Sequence, residues 1–395
     1  MLPPLLDIYV VWHPEDSAGS DIADSLIDHF HGTPFSGLIG GAVEVFVRSA
    51  GWREKGDAPL PLPYVEPLPY GVPEAELTVV VPVVGLGLAS ALQDEGPWAD
   101  YIDALLCGAA GNPDTVLVLP VRLSTAPRNG NLQTRIGFLQ SIAHTDDLRR
   151  DVSQAIAQFA AGNRQRLKVF LSHTKHSGEG GDAPAELVRS VRDVILDTKL
   201  QEFFDESDLR PGYDWSAQLI AEARHSALLA IRTDRYASRT WCQREVLTAK
   251  RAGMPAVILD ALTHGEERGS FLMDNLPRIP RGADGDRAAI LQALGQLVDE
   301  CLKRALWRRQ RDLAERTGLD LAAWWAPHAP EPVTFVEWLQ GETGRAEARS
   351  PTLILHPDPP LGPDETAALR DVASLCGLGE QLEILTPRGL AIRGG

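Results

Sequence analysis

The chain has 395 residues, 44% hydrophobic and 23% charged, a length that predicts about two or three domains and a composition typical of a globular protein. A net charge of −16 argues against a nucleic-acid surface as the main function, because phosphate contacts need clustered Lys and Arg. No apolar run approaches the about 18 residues of a membrane helix, and no basic leader precedes the first strand, so the expectation is a cytoplasmic protein without a membrane partner.

Asp7 to Trp12 reads as a short apolar strand, and Asp21 to Phe30 as a helix with Ile22, Leu26, Ile27 and Phe30 on one face. Val43 to Val47 and Leu77 to Val81 are the next strands, separated by the proline-crowded loop Trp52 to Pro73. Pro97 to Leu106 is helical, Thr115 to Leu119 a strand, and Asp146 to Ala160 a closing helix. Apolar strands alternating with amphipathic helices imply a parallel sheet covered on both faces.

Arg166 to Arg304 repeats that order. Leu167 to Ser172 is a strand, Ala185 to Thr198 a helix, and Leu200 to Phe204 a second strand. The polar loop Asp205 to Trp215 leads into a helix, Ala227 to Ile231 is the third strand, and Ala256 to Leu259 the fourth. Between the last two lies a helix with Ser238 as its N-cap and an apolar side of Trp241, Val246, Leu247 and Ala249. Arg287 to Leu302 closes the domain. The basic run Lys303 to Arg311 reads as the solvated side of a helix.

Asp312 to Arg349 is expected to be a short helical linker whose tryptophans, Trp324, Trp325 and Trp338, are core rather than a ligand cage. Thr352 to His356, the helix Asp364 to Cys376 and Gln381 to Leu385 make a βαβ-like fragment: a small sensor, a docking module, or strands added to a neighbouring domain. The expected boundaries are 1–163, 164–306, 307–350 and 351–395. Cys107, Cys242, Cys301 and Cys376 are too far apart to form a metal-spaced pair and read as free thiols, so no metal site is expected.

Three motifs in the second α/β segment carry a family resemblance: Val169-Phe-Leu-Ser-His173, Phe204-Asp-Glu-Ser-Asp-Leu-Arg-Pro-Gly212 and Trp241-Cys-Gln-Arg-Glu245. In this order and spacing the segment resembles the TIR (Toll/interleukin-1 receptor) domain family. The resemblance implies a flavodoxin-like parallel sheet with helices on both faces and ligands beyond the carboxyl ends of the strands. It also implies that the loop around Arg210, Pro211 and Gly212 mediates association between domains. The first domain is similar to a diverged copy, a TIR-like pseudo-domain. Aligning Trp98 with Trp241 puts Ile102 where the second copy has Glu245, and an isoleucine neither hydrogen-bonds a sugar nor carries charge. An unrelated α/β domain of similar topology is the alternative.

Some members of that family only associate, and others cleave NAD⁺ at its nicotinamide–ribose bond, distinguished by a glutamate at the position of Glu245. The chemistry explains the requirement. Nicotinamide leaves as a neutral group, so a single carboxylate suffices to stabilise the oxocarbenium-like ribosyl centre and hold its hydroxyls. The resemblance therefore implies Glu245 as the catalytic residue, NAD⁺ as substrate rather than cofactor, and self-association through TIR domains, with an activating protein or small-molecule signal as a further partner. Around Glu245 the expected substrate-side residues are His173 and Thr174 at the first strand's end. Asp208 and Arg210 are placed to meet ribose or pyrophosphate oxygens, and Tyr213, Trp215 and Tyr236 to stack on a base. Trp241 packs under the loop. No phosphate-binding glycine fingerprint is present, so substrate must be held by side chains and by a neighbouring molecule, with Arg210 and Tyr213 acting partly in trans. The product is linear ADP-ribose or a cyclic isomer, according to whether water or adenine attacks. Bacterial relatives of this kind act in antiphage defence or signalling, and the Ala, Arg, Asp and Pro usage fits a GC-rich bacterial genome. The rival reading is a non-enzymatic TIR scaffold on which Glu245 is a solvated helix residue.

Overall fold

The computed structural model describes residues 3–38, 43–50, 58–66, 74–126, 135–137, 139–162, 166–174, 183–204, 226–266, 268–282, 286–318, 322, 324–342, 352–378 and 382–394. The N-terminal part runs β1 (Leu6–Trp12), α1 (Ala18–Phe30), β2 (Glu44–Arg48), β3 (Leu77–Val84), α2 (Leu86–Ala91), α3 (Pro97–Gly111), β4 (Val116–Val118), β5 (Val121–Arg122), β6 (Ile142–Ala143) and α4 (Leu148–Ala160). Its strands pair in parallel in the order β2-β1-β3-β5-β6, and β4 lies beside the first half of β3.

The strand expected over Thr115 to Leu119 is β4, and a second short piece, β5, which was not expected, follows beyond Pro120. Proline has no N–H to give the ladder. Val116–Val118 pair with Thr78–Val80, and Val121 and Arg122 resume opposite Val83 and Val84. Counted as one interrupted strand, they give the doubly wound order 2-1-3-4-5. All eight residues of β3 are buried, the pattern of a strand covered on both faces.

Helix α2 was not expected from the sequence. It forms because a distant carboxylate caps it: Asp16 accepts the Gly87 and Leu88 N–H groups, each at 2.8 Å. The cap requires close approach. A Cβ on Gly85 would sit 2.2 Å from Asp16 Oδ1.

The second segment repeats the plan with β7 (Lys168–Ser172), α5 (Ala183–Leu196), β8 (Gln201–Phe204), β9 (Ser226–Arg232), α6 (Thr240–Arg251), β10 (Ala256–Asp260), β11 (Arg278–Pro280) and α7 (Asp286–Arg316). Its five-stranded sheet has the order β11-β10-β9-β7-β8, again 2-1-3-4-5 and parallel throughout. Both segments are therefore α/β, each with a parallel sheet flanked by helices.

Three features differ from expectation. β11 is too short to show period-two patterning. α7 runs on past Leu302 to Arg316, through the basic run read as a solvated helix side. Those basic groups are partly committed: Lys303 pairs with Glu300 at 2.5 Å and Arg309 Nε donates to the Ala160 carbonyl at 2.7 Å.

The expected helical linker is instead part of a small module. β12 (Trp324–Trp325), α8 (Pro332–Glu342), β13 (Thr352–Leu355), α9 (Pro363–Ser374), β14 (Leu382–Leu385) and α10 (Pro387–Gly394) follow, and the strands form a parallel sheet β12-β13-β14. The βαβ fragment thus takes its third strand from the tryptophan pair. Trp324 stacks on Trp338 with centroids 5.3 Å apart, over a core of Phe335, Leu339, Ile354, Leu369 and Leu382. Residues Asn163–Ala305 and Leu319–Leu390 form one compact unit, and Met1–Gly162, Leu306–Gly318 and Ala391–Gly395 the other. No helix among the described residues is long and apolar enough to cross a membrane.

One buried acid works against the first sheet. Asp7 on β1 stands in register with Glu44 on β2. Burial, and then the Glu44 charge, raise its pKa from 3.8 to about 6, against a hydrogen bond from Tyr9 that lowers it. A raised carboxyl pKa means the folded state binds the proton more tightly, so stability is lost as pH rises through the folded value. Asp7→Asn is therefore expected to raise the urea midpoint of the first unit at pH 7.5. The gain should shrink below about pH 6 and vanish near 3.8, the unperturbed value. A pH-independent difference between the two proteins would contradict this account.

Candidate functional site

In an open sheet of order 2-1-3-4-5, the strand leaving the first position and the strand leaving the third diverge to opposite faces, which opens a crevice at their carboxyl ends. Here those strands are β7 and β9. Thr174 Oγ1, just past β7, lies 3.1 Å from Thr233 Oγ1, just past β9, and joins the two lips.

Helix α6 supplies the next layer. Cys242, Val246 and Ala249, spaced i, i+4 and i+7, pack with Phe170, Leu228, Ala230 and Ile258 of the sheet. Leu247, expected on this face, is only partly buried, and Cys242 takes the inward place instead. The helix begins at Thr240 with Arg239 in the cap position and no side-chain cap. The expected cap, Ser238, donates its hydroxyl to the Arg235 carbonyl at 2.9 Å and serves the preceding turn.

Glu245 lies between Cys242 and Val246 on the inward side and is 3% exposed. A buried carboxylate is costly unless hydrogen-bonded. Ser172 at the end of β7 donates its hydroxyl to Glu245 Oε2, and the same Ser172 oxygen is hydrogen-bonded to the Tyr236 hydroxyl. Ser172 has one proton, already directed at the carboxylate, so Tyr236 must be the donor to Ser172. Three side chains thus form a directed chain, Tyr236 to Ser172 to Glu245. The environment keeps Tyr236 protonated: burial first, then the charges of Cys242 and Glu245, push its pKa well above 10.

These placements revise the sequence reading. Tyr236 was expected to stack on a base, but its ring is 0% exposed and lies in the core cluster, so its contribution comes through the hydroxyl. Glu245 is not a solvated helix residue, as the scaffold reading had it. Thr174 is buried at the crevice, and His173 beside it has Nδ1 3.3 Å from the Thr174 carbonyl. Trp241 is partly buried and packs against the same core, with the Arg244 guanidinium 5.7 Å from its ring centroid. Asp208, Arg210, Tyr213 and Trp215 lie outside the described residues.

Sequence reasoning missed Ser172, although it stands inside the quoted Phe-Leu-Ser-His motif. Period-two alternation would have found it, since Phe170 and Ser172 share a sheet face. Cys242 was read only as a spare thiol. It donates weakly to the His173 carbonyl, with Sγ at 3.8 Å, and burial followed by the Glu245 charge pushes its pKa up to about 12. It is a packed thiol rather than a nucleophile.

The rim beside the crevice is also fixed. Arg232 at the end of β9 forks onto Glu266, with Nε and Nη2 at 3.0 and 2.6 Å from the two carboxylate oxygens. Asp234 accepts backbone N–H groups from Thr263 at 2.8 Å and Gly265 at 3.2 Å, tying the loop after β9 to the loop after β10.

The first sheet has a matching helix with different chemistry. Trp98 is the second residue of α3, as Trp241 is of α6, and four residues on, Ile102 is fully buried among Tyr9, Val11 and Val80. Searches of the sequence against protein-family models and against curated proteins find no match.

The directed chain makes a stability prediction. Ser172→Ala leaves the Tyr236 hydroxyl and the Glu245 carboxylate buried without their common partner, a loss of about 1–3 kcal/mol. Tyr236→Phe removes only the outer donor and is expected to cost less, about 1 kcal/mol. Urea unfolding of both variants and their double mutant checks this. Additive losses would mean the three groups do not act as a unit.

Proposed function

We propose that the second α/β segment is a TIR-type NAD⁺ nucleosidase and that Glu245 is its catalytic carboxylate. One observation carries the reading: an acidic side chain held by a directed hydroxyl chain at the switch-point crevice of a doubly wound sheet, the place where such sheets bind ligands. The glycosidic C–N bond breaks with its electron pair leaving on the nicotinamide nitrogen. The positive charge moves from the pyridinium to the ribosyl centre, where Glu245 stabilises it. Water or the adenine nitrogen then bonds to that carbon, giving ADP-ribose or a cyclic isomer. Ser172 positions the carboxylate, and Tyr236 positions Ser172.

The 3% exposure of Glu245 adds a requirement: the carboxyl edge must rearrange before a ribose reaches it. That fits activation through self-association of TIR domains, with a role in bacterial defence or signalling.

The same burial favours a second reading. A hydrogen-bonded carboxylate packed between helix and strand also serves to fix α6 on the sheet, as a non-enzymatic scaffold would need.

The two readings separate in an NAD⁺ assay with the purified full chain, free and forced into assemblies by a fused oligomeriser. The enzyme reading expects nicotinamide release by wild type and a loss of about 100-fold or more in Glu245→Gln, which keeps shape and hydrogen bonding but removes charge. Equal rates in the two proteins would overturn the role of Glu245. No release in either form, assembled or free, would leave the scaffold.

A further inference from the structure

Away from the crevice, the same unit holds a pocket of about 310 Å³, at the small end of the sizes found for small-molecule sites. Its walls come from the end of α6, the turn before β11, α7, the segment around His328 and the segment 357–361. Six of the lining residues are proline, so much of the wall is apolar and short of backbone donors.

Most of the charge on these walls is offset by its neighbours. Lys250 Nζ donates to Glu331 Oε2 at 2.5 Å and to the Asp274 carbonyl at 2.7 Å, and Lys303 pairs with Glu300. Arg388 stands 3.7 Å from Asp358 Oδ2, an ion-pair distance too long for a hydrogen bond. The remaining charges, Arg304 and Glu365, are of opposite sign, and Glu365 is engaged in accepting the Gly362 N–H at 2.8 Å. The walls therefore carry no surplus of one sign with which to select an ion.

What is left over is hydrogen-bonding capacity. Among the described residues, both oxygens of Asp358, Glu331 Oε1 and His328 Nε2 are buried without a hydrogen-bond partner. The Glu331 and Asp358 side chains are only 4% and 6% exposed. His328 Nδ1 lies 3.1 Å from the Ala329 carbonyl, which can only accept, so Nδ1 carries the proton and Nε2 presents a lone pair. Burial, its largest influence, holds the imidazole pKa below the ordinary value, in keeping with that neutral tautomer. A donor stands beside these acceptors. The Arg304 guanidinium packs against Gly253, where a Cβ would come 2.5 Å from Nη2, and its charge reaches His328. Arg304 has other interactions, yet its Nε–H is buried and makes no hydrogen bond. Asp358 lies toward the other end, since it and His328 are both electrostatic neighbours of His356. No group of His, Cys, Asp and Glu among the described residues has the geometry to hold a metal ion.

Such a lining calls for a ligand that donates and accepts. A carboxylate open at both oxygens is matched by two adjacent, parallel N–H donors. A guanidinium has that pair, but it would set a second positive charge near Arg304 and Arg388 and offer Arg304 Nε no acceptor. A phosphate or carboxylate would face the bare acceptors of Asp358, Glu331 and His328. We infer that this pocket binds a neutral planar heterocycle with an amino-lactam edge, of the guanine type. Its ring N–H and amino group would donate to the two oxygens of Asp358, and its carbonyl or ring nitrogen would accept from Arg304. The flat faces would lie against the proline walls, Met254 and Leu361. The inference does not rest on the role proposed for Glu245.

Calorimetric titration of the full chain tests it with guanosine, with inosine, which lacks only the 2-amino group, and with methylguanidinium. Guanosine is expected to bind, and the other two to bind about tenfold more weakly or worse, since each loses a hydrogen bond that guanosine makes. Asp358→Asn adds a readout that misfolding cannot imitate. An amide there offers one donor and one acceptor, so guanosine should weaken about tenfold or more. Xanthosine, whose 2-oxo group accepts where the guanosine amine donates, should then bind the variant better than guanosine does. The inference is overturned if guanosine fails to bind wild type, or if inosine or methylguanidinium binds as tightly. It is overturned equally if the folded variant keeps its guanosine affinity or shows no preference for xanthosine. Should the variant not fold, the wild-type contrast between guanosine and inosine decides.

Discussion

Helix α6 is held by two buried charges of opposite sign, and much of the second unit depends on them. At its middle, Glu245 accepts a hydrogen bond from the Ser172 hydroxyl of β7; at its end, Lys250 is bonded to Glu331, which precedes α8 of the small C-terminal module. Neither group is more than slightly exposed. A buried charge stays folded only with its partners in place, and breaking such a pair costs several kcal/mol. The helix therefore has one register against the sheet and one against the module. Apolar packing alone, through Cys242, Val246 and Ala249, would tolerate small slides that these directional contacts forbid.

The sheets were legible in the sequence because their signal is strong and local. Central strands are unbroken runs of Val, Ile and Leu, and helices such as α1 and α4 carry clear apolar stripes. What escaped depended on partners far along the chain. Helix α2 needs Asp16 to satisfy its first amides. β12 is two residues long and is a strand only because β13 lies beside it. β5, past Pro120, is two residues long and is a strand only because β3 and β6 lie beside it. The extension of α7 was legible in part, since the basic run Lys303 to Arg311 reads as the side of a helix.

The candidate site was legible in a similarly uneven way. Glu245 stood out, together with its place near the head of a helix, but its surroundings did not. Tyr236 reads as an aromatic platform until the fold places its ring in the core, leaving only the hydroxyl to act. Ser172 looks like part of a strand. Its role emerges from two facts that no single segment contains: the face it shares with Phe170, and the turn that brings Tyr236 back over the end of β7. A residue's chemistry is local, but whether it acts by face or by tip is decided by burial.

The contrast between Ile102 and Glu245 has a consequence for how such a chain can change over generations. Replacing the acid with an aliphatic residue takes one substitution, which removes a desolvated acid but leaves the buried Ser172 hydroxyl without its acceptor. The reverse route begins with a deficit. A carboxylate introduced at Ile102 would stand among Tyr9, Val11 and Val80, so the donor partners would have to arise first, at positions where they bring no advantage of their own. Two sheets with the same strand order thus carry an aliphatic and an acidic residue at matching helix positions, and only the acid needs dedicated donors around it.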